Sequence, residues 1–133
     1  MPTLVASAQT NYRDTADSLF TNYNYSAAAS CYLRCENDTD SITIFRKLAQ
    51  CYRKMGYYKA EQSSLLRIPQ DSLLHNDMRQ IYYSYSRLQD TVSIDLWGKR
   101  ILEAFPYDSD ITASVAADMM EKGDIYGKSH KSP

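Results

Sequence analysis

The sequence predicts an all-α fold, a solenoid of stacked helical hairpins. Three observations predict it. Turn-forming residues are scarce: four glycines and four prolines among 133 residues, about half the usual share. An all-β sandwich or barrel needs a turn roughly every 8–12 residues, so long helices with short connections fit better. Apolar residues recur at helical spacing, as at Phe45, Leu48, Ala49 and Tyr52, which share one helix face. The same pattern then returns at one fixed interval, as from Tyr25 to Tyr58, and a period of that length marks stacked repeats.

The elements follow in order. A first unit, about 9–41, places Tyr12, Ala16 and Leu19 on one helix and Tyr25, Ala28, Tyr32 and Cys35 on a second. The second unit, about 42–74, opens on Asp40-Ser41, a helix-capping pair. Gly56 breaks its first helix. Tyr58, Leu65 and Ile68 form the second, which Pro69 ends. The third unit, about 75–107, carries Met78, Ile81, Tyr82 and Tyr85, then Thr91, Ile94 and Ile101, and closes at Pro106. A partial fourth unit, 108–126, is capped by Asp108-Ser109-Asp110. Val115, Ala116 and Met119 form its helix face, and Gly123 and Ile125 repeat the turn. The tail, 127–133, has no apolar residue and is expected to be disordered. At the other end, Leu4-Val5 followed by Ala6-Ser7-Ala8 reads as a signal-peptide remnant over residues 1–8, with cleavage before Gln9. That reading places the protein in the periplasm or outside the cell.

Phe45, Leu48, Ala49, Tyr52, Gly56 and Tyr58 stand in the order of a helical-hairpin motif, and the segment resembles the tetratricopeptide repeat. Four copies in register cover roughly residues 10–126. The resemblance implies a right-handed α-solenoid of three helix-turn-helix repeats plus a seventh helix. It implies small residues where the two helices of a hairpin cross, and tyrosines wedged between layers. Three positions depart from it. Tyr23 replaces the turn glycine. Glu61 stands where a small residue is expected, and the neighbouring Ala60 suggests a shift of one position. Gly98 stands where an aromatic is expected, with Trp97 beside it to fill the space.

In this family the first helix of each hairpin lines a concave groove. The resemblance therefore implies a groove bearing Arg13, Arg46 and Arg79, one per repeat at equal spacing, with Lys47, Arg53 and Arg87 at other groove positions. Gln50, Asn76, Gln80 and Tyr83 add hydrogen-bonding groups. Guanidinium forks suit carboxylates, so the expected partner is a protein or peptide segment of acidic character. The alternative is a solvated face whose arginines pair with Asp17 or other local acids. The carboxylate clamp of some family members is not reproduced, because Asp17 and Lys47 stand where it needs asparagines.

Other classes find little basis. The net charge of −1 argues against a nucleic-acid binder. No apolar run approaches the ~18 residues of a membrane span. The histidines, His75 and His130, form no metal-binding or catalytic motif, so no enzyme activity, cofactor or metal is expected. Cys31 and Cys35 sit one helical turn apart, about 5–6 Å between Cβ atoms, too far for a disulfide. Cys51 is left to meet either across a helix interface, or all three are small buried residues. Two rival functions remain. One is a carbohydrate- or nutrient-binding role at a bacterial outer membrane, favoured if Tyr23, Tyr57 and Tyr83 are exposed. The other is a structural part of a longer solenoid, or a module that self-associates through its terminal helices.

Overall fold

The computed structural model describes residues 2–35, 37 and 39–131, with side chains for 12–35, 37 and 39–121. Among them are seven α-helices, one short 3-10 turn and no strand: α1 (Pro2–Thr21), α2 (Tyr25–Leu33), α3 (Ser41–Lys54), α4 (Tyr58–Leu66), the turn Gln70–Ser72, α5 (His75–Arg87), α6 (Thr91–Ala104) and α7 (Ser109–Lys131). Each helix packs on the next in sequence. The even-numbered helices thus lie between successive odd-numbered ones, and each hairpin buries the apolar face its neighbour cannot bury alone.

The hairpin turns explain the period. Tyr23 (φ 65°), Gly56 (φ 79°) and Gln89 (φ 59°) all adopt the left-handed conformation, at the same register in three repeats. Just after each, a hydrogen bond reaches back into the helix: Asn24 N–H to Leu19 O, Tyr57 N–H to Tyr52 O and Asp90 N–H to Tyr85 O, at 2.8, 2.8 and 3.1 Å. This wrap of the last carbonyls requires a positive φ after the helix. The turn at Tyr23 is therefore the same as the others, made without glycine. A left-handed non-glycine residue costs about 1–2 kcal/mol, so Gln89→Gly is expected to raise stability by about 0.5–1 kcal/mol, and Gly56→Ala to lower it by about 1 kcal/mol. Thermal melts of the two variants check the opposite signs.

Two core clusters fill the space between layers. One gathers Ala16, Ala28, Tyr32, Ile44, Leu48 and Cys51. The other gathers Phe45, Ala49, Leu65, Ile81, Tyr82, Trp97, Ile101 and Ile111. The three cysteines are free thiols, Cys35 and Cys51 buried and Cys31 partly so, which makes them packing residues. Burial pushes the Cys51 thiol up to about 11, far from a reactive thiolate.

Three expectations change here and one largely holds. Glu61 is completely buried at the register that Ala28 holds one repeat earlier, so α4 is not shifted by one position. Trp97 does not fill the space at Gly98. Val115 and the ring of Tyr82 do: a Cβ on Gly98 would lie 2.9 Å from Val115 Cγ2 and 3.3 Å from Tyr82 Cε2. The tyrosines largely take the expected wedge role: Tyr32 and Tyr82 are buried and Tyr25, Tyr52, Tyr83 and Tyr85 pack half-buried against the core, while Tyr12, Tyr23, Tyr57 and Tyr107 are exposed. Finally, α7 continues through Gly123 to Lys131, in place of a turn and a disordered tail. Its two glycines, Gly123 and Gly127, each cost the helix about 1 kcal/mol and do not end it. Residues 132 and 133 lie outside the described residues, and the signal-peptide reading falls on residues without described side chains.

Candidate functional site

The three groove arginines occupy equivalent places on α1, α3 and α5, with side chains 30%, 27% and 30% exposed. Each reaches from its own layer to the start of the next odd-numbered helix. Arg13 Nη2 donates to Asp40 Oδ2 at 3.1 Å. Arg46 donates through Nε and Nη2 to Asp77 at 3.0–3.1 Å, and through Nη2 to Ser72 O at 3.1 Å. Arg79 Nη2 donates to Asp110 Oδ2 at 3.0 Å, with its Nε 3.6 Å from Asp108 Oδ2.

The acids sit there for a local reason. Carboxylates at helix N-termini accept free backbone N–H groups and complement the helix dipole. Asp40 and Asp108 immediately precede α3 and α7, and Asp77 lies in the first turn of α5. Asp77 accepts from Leu74 N–H at 2.8 Å and Asp108 from Ile111 N–H at 3.0 Å. The arginine ladder is thus a set of interlayer clamps. Asp17, the alternative acid, instead accepts the hydroxyl of Tyr32. Burial, reinforced by that bond, pushes the Tyr32 hydroxyl well above its usual range.

Asp108 is the most heavily engaged of these acids. Its Oδ2 lies 2.6 Å from His75 Nε2, and the imidazole stacks on Phe105 with centroids 4.1 Å apart. Burial works against its charge, but Ile111 N–H, His75 and Arg79 outweigh it and hold the carboxyl below its ordinary value. Its contribution to stability is therefore complete above the ordinary aspartate range and fades as pH falls through the lowered folded value.

The other groove residues divide. Lys47 caps the ring of Phe20, its Nζ 4.5 Å from the centroid. Gln50, Gln80 and Tyr83 are half-buried on the same helices and Asn76 is exposed. Tyr83 O–H lies 3.3 Å from Arg79 Nη2. Arg53 and Arg87 turn to Glu61, at 3.6 and 3.9 Å. Both Glu61 oxygens are sealed from solvent, and among the described residues neither has a hydrogen-bond partner. Burial raises the Glu61 carboxyl above its ordinary value, and the two arginines only partly offset this. The folded state then holds this proton to higher pH than the unfolded chain does, so stability falls as pH rises through that window. Glu61→Gln is expected to raise the thermal midpoint at pH 7 by a few degrees, with the gain shrinking on acidification. Melts across that range check it.

Sequence reading missed Asp77, Asp108 and the buried Glu61 as organisers of this face. The helix-start signals contained the first two. The charged residue at a small-residue position was the signal for the third. Among the described residues, no group of three metal-ligating side chains comes together, and no helix is long and apolar enough to cross a membrane.

These features define a class: an α-solenoid of helical hairpins whose odd-numbered helices present one continuous polar face, cross-linked layer to layer by arginine–carboxylate pairs. More particularly, the chain has the tetratricopeptide-repeat fold. It superposes on the first tetratricopeptide-repeat domain of Spaghetti (RPAP3), solved with the HSP90 peptide SRMEEVD, with a TM-score of 0.64 and 13% identity over 88% of this chain and 97% of that one. No protein-family model and no curated protein sequence matches the chain.

Proposed function

We propose that the protein is a non-enzymatic interaction scaffold that holds a peptide segment of a protein partner along the groove of α1, α3 and α5. The observation that carries this reading is the recurring polar face itself. Its arginine side chains are fixed by the next layer, and the partly exposed Lys47, Gln50, Gln80 and Tyr83 lie among them. A rigid groove loses little freedom on binding. The structural neighbour was solved with a peptide, which agrees with this use of the fold. The ladder guanidiniums already hold carboxylates, so recognition of an acidic segment falls to Lys47 and to the solvent-facing sides of Arg13, Arg46, Arg79, Arg53 and Arg87. A secreted or periplasmic setting rests on Ala6-Ser7-Ala8 alone.

The test is fluorescence anisotropy with labelled SRMEEVD as an acidic probe. The expected result is salt-sensitive binding that weakens at least about tenfold in Lys47→Glu/Gln50→Ala/Tyr83→Phe, a variant that keeps every clamp arginine and carboxylate and the Tyr83 ring. Absence of binding at low salt, or binding indifferent to the triple variant, overturns the reading. Charge reversal of Arg46 and Arg79 would not serve, since it breaks the layer contacts as well.

A second reading, self-association or continuation of the solenoid through its C-terminal end, is favoured by one feature. Leu102, Val115 and Met119, with Asp95, Lys99 and Glu103, line a groove of about 670 Å³ between α6 and α7, and Met119 is 67% exposed. A thermal midpoint that rises with protein concentration, and ceases to do so in Met119→Lys, is its expected signature. For a carbohydrate site, Tyr23 and Tyr57 are exposed but lie on turns, while Tyr83 lies half-buried on α5.

A further inference from the structure

One flank of the last helix is apolar and open. From Ile111 to Met120 the only charged residue of α7 is Asp118. It is half-buried, at helical spacing with Ile111 and Val115, which pack on the core. Ala113, Ala116, Ala117, Met119 and Met120 are all exposed, the two methionines to 67% and 70%. A helix that meets water normally carries polar or charged residues on its outer side. The other groove helices do. At the register of Ala113, Ala116 and Met120, α3 carries Lys47, Gln50 and Lys54, and α5 carries Gln80, Tyr83 and Arg87.

The same helix walls a groove. Val115 and Met119 line it with Asp95, Lys99, Leu102 and Glu103 of α6, around a space of about 670 Å³. Earlier in the stack, α4 packs on α3 and α6 on α5. Ala49 and Tyr82, at the register of Val115, are 2% and 1% exposed there. On α7 the corresponding flank stays open to solvent at Met119.

We propose that a second copy of this chain fills the groove, its α7 packed antiparallel on the first α7 across a two-fold axis near Ala116. This rests on the self-association reading of the same groove and fixes its partner, direction and symmetry. Occupant and groove wall belong to one helix, so a single two-fold contact covers both open flanks and closes as a dimer. Charge favours a copy as well. A like chain brings like charges, and the stripe of Ala113, Ala116, Met119 and Met120 has none to repel it. The charged residues of the groove, Asp95, Lys99 and Glu103, nearly balance, so neither a strongly acidic nor a strongly basic partner is selected. Lys99 and Glu103 have opposite signs one helical turn apart, a pattern that a two-fold axis can pair with itself. The small Ala116 lets the two helices approach to about 8 Å, and the flexible methionines then reach the groove across the axis.

Sedimentation equilibrium of the whole chain is expected to give a monomer–dimer equilibrium with no larger species. Met119→Lys/Met120→Lys and Met119→Glu/Met120→Glu should each raise the dissociation constant at least about tenfold. Both positions are exposed, so each variant should fold, which circular dichroism checks. An equimolar mixture of the two variants should dimerise more tightly than either alone, because a two-fold axis brings the opposite charges together. A head-to-tail contact uses this helix on one side only, so mixing would restore nothing. The proposal is overturned if the chain stays monomeric at every concentration, if its mass grows past the dimer, if the single-sign variants dimerise like the parent, or if mixing them gives no gain. Growth past the dimer, or association without rescue by mixing, removes the two-fold contact and leaves self-association standing; a monomer removes both. The peptide test is separate, since none of the residues it varies lies on α7.

Discussion

Replacing Gly98 by leucine is expected to destabilise the protein by about 2–3 kcal/mol, a fall of roughly 10 °C in thermal midpoint. The reason is a size exchange between the two helices of one hairpin. In the first repeat, the small Ala16 on α1 accompanies the large Tyr32 on α2. In the second, Ala49 on α3 accompanies Leu65 on α4. In the third the order reverses, with Tyr82 on α5 and Gly98 on α6. Tyr82 is 1% exposed and its hydroxyl lies 2.7 Å from Ser114 Oγ, so the ring has no room to retreat from a new side chain. Any Cβ at Gly98 already meets Val115 and Tyr82. Tyr82→Ala alone should cost about 3–4 kcal/mol as a cavity. The double variant Gly98→Leu/Tyr82→Ala recreates the second repeat's pair and should cost well below the sum. The coupling, about 2 kcal/mol in the favourable direction, is measured by urea unfolding of the four proteins. Additive effects would show that the two positions do not share one space.

The second large effect concerns the clamps. Three arginines of equal register hold carboxylates of unequal burial: the side chain of Asp40 is 51% exposed and that of Asp77 6%, while Arg79 is shared between Asp110, 70% exposed, and Asp108, 3%. Coulomb attraction in water-exposed pairs is offset by screening and side-chain ordering, so Arg13–Asp40 should couple by no more than about 0.5–1 kcal/mol. Arg46–Asp77 is bidentate and shielded, and Asp77 also accepts Leu74 N–H. Its loss orphans more bonds than the ion pair alone. A coupling of about 2 kcal/mol is expected there, and Asp77→Ala should cost about 2–4 kcal/mol in all. Double-mutant cycles on the two pairs measure the gradient. Equal couplings would remove burial as the controlling variable.

Much of this was legible in the chain. The hairpins, their boundaries near 41, 75 and 108, and the arginines at 13, 46 and 79 all follow from a period, and a period survives without contacts. The arginines' partners follow from it only in part. Asp77 and Asp110 stand at one offset, 31 residues, from Arg46 and Arg79, but Asp40 stands 27 residues from Arg13, because it comes from a helix start whose offset depends on the preceding loop. A groove expected to be basic is therefore largely neutralised by its own next layer. Glu61 misled for a similar reason: a large charged residue at a small-residue position suggested a register shift, but arginines from two different helices meet it inside the stack.

The sequence by itself determined the class of fold, the number of layers and the face on which the polar residues collect. These depend on helix periodicity, turn residues and caps, which act over a few neighbouring residues. Only the tertiary structure decided that Val115 and Tyr82 fill the place of a side chain at Gly98, that the arginine series clamps layers, and that Glu61 is buried between two arginines. Each of these is a matter of which side chain meets which across a helix or layer interface. Such pairs are far apart or unevenly spaced along the chain, and packing rather than pattern brings them together.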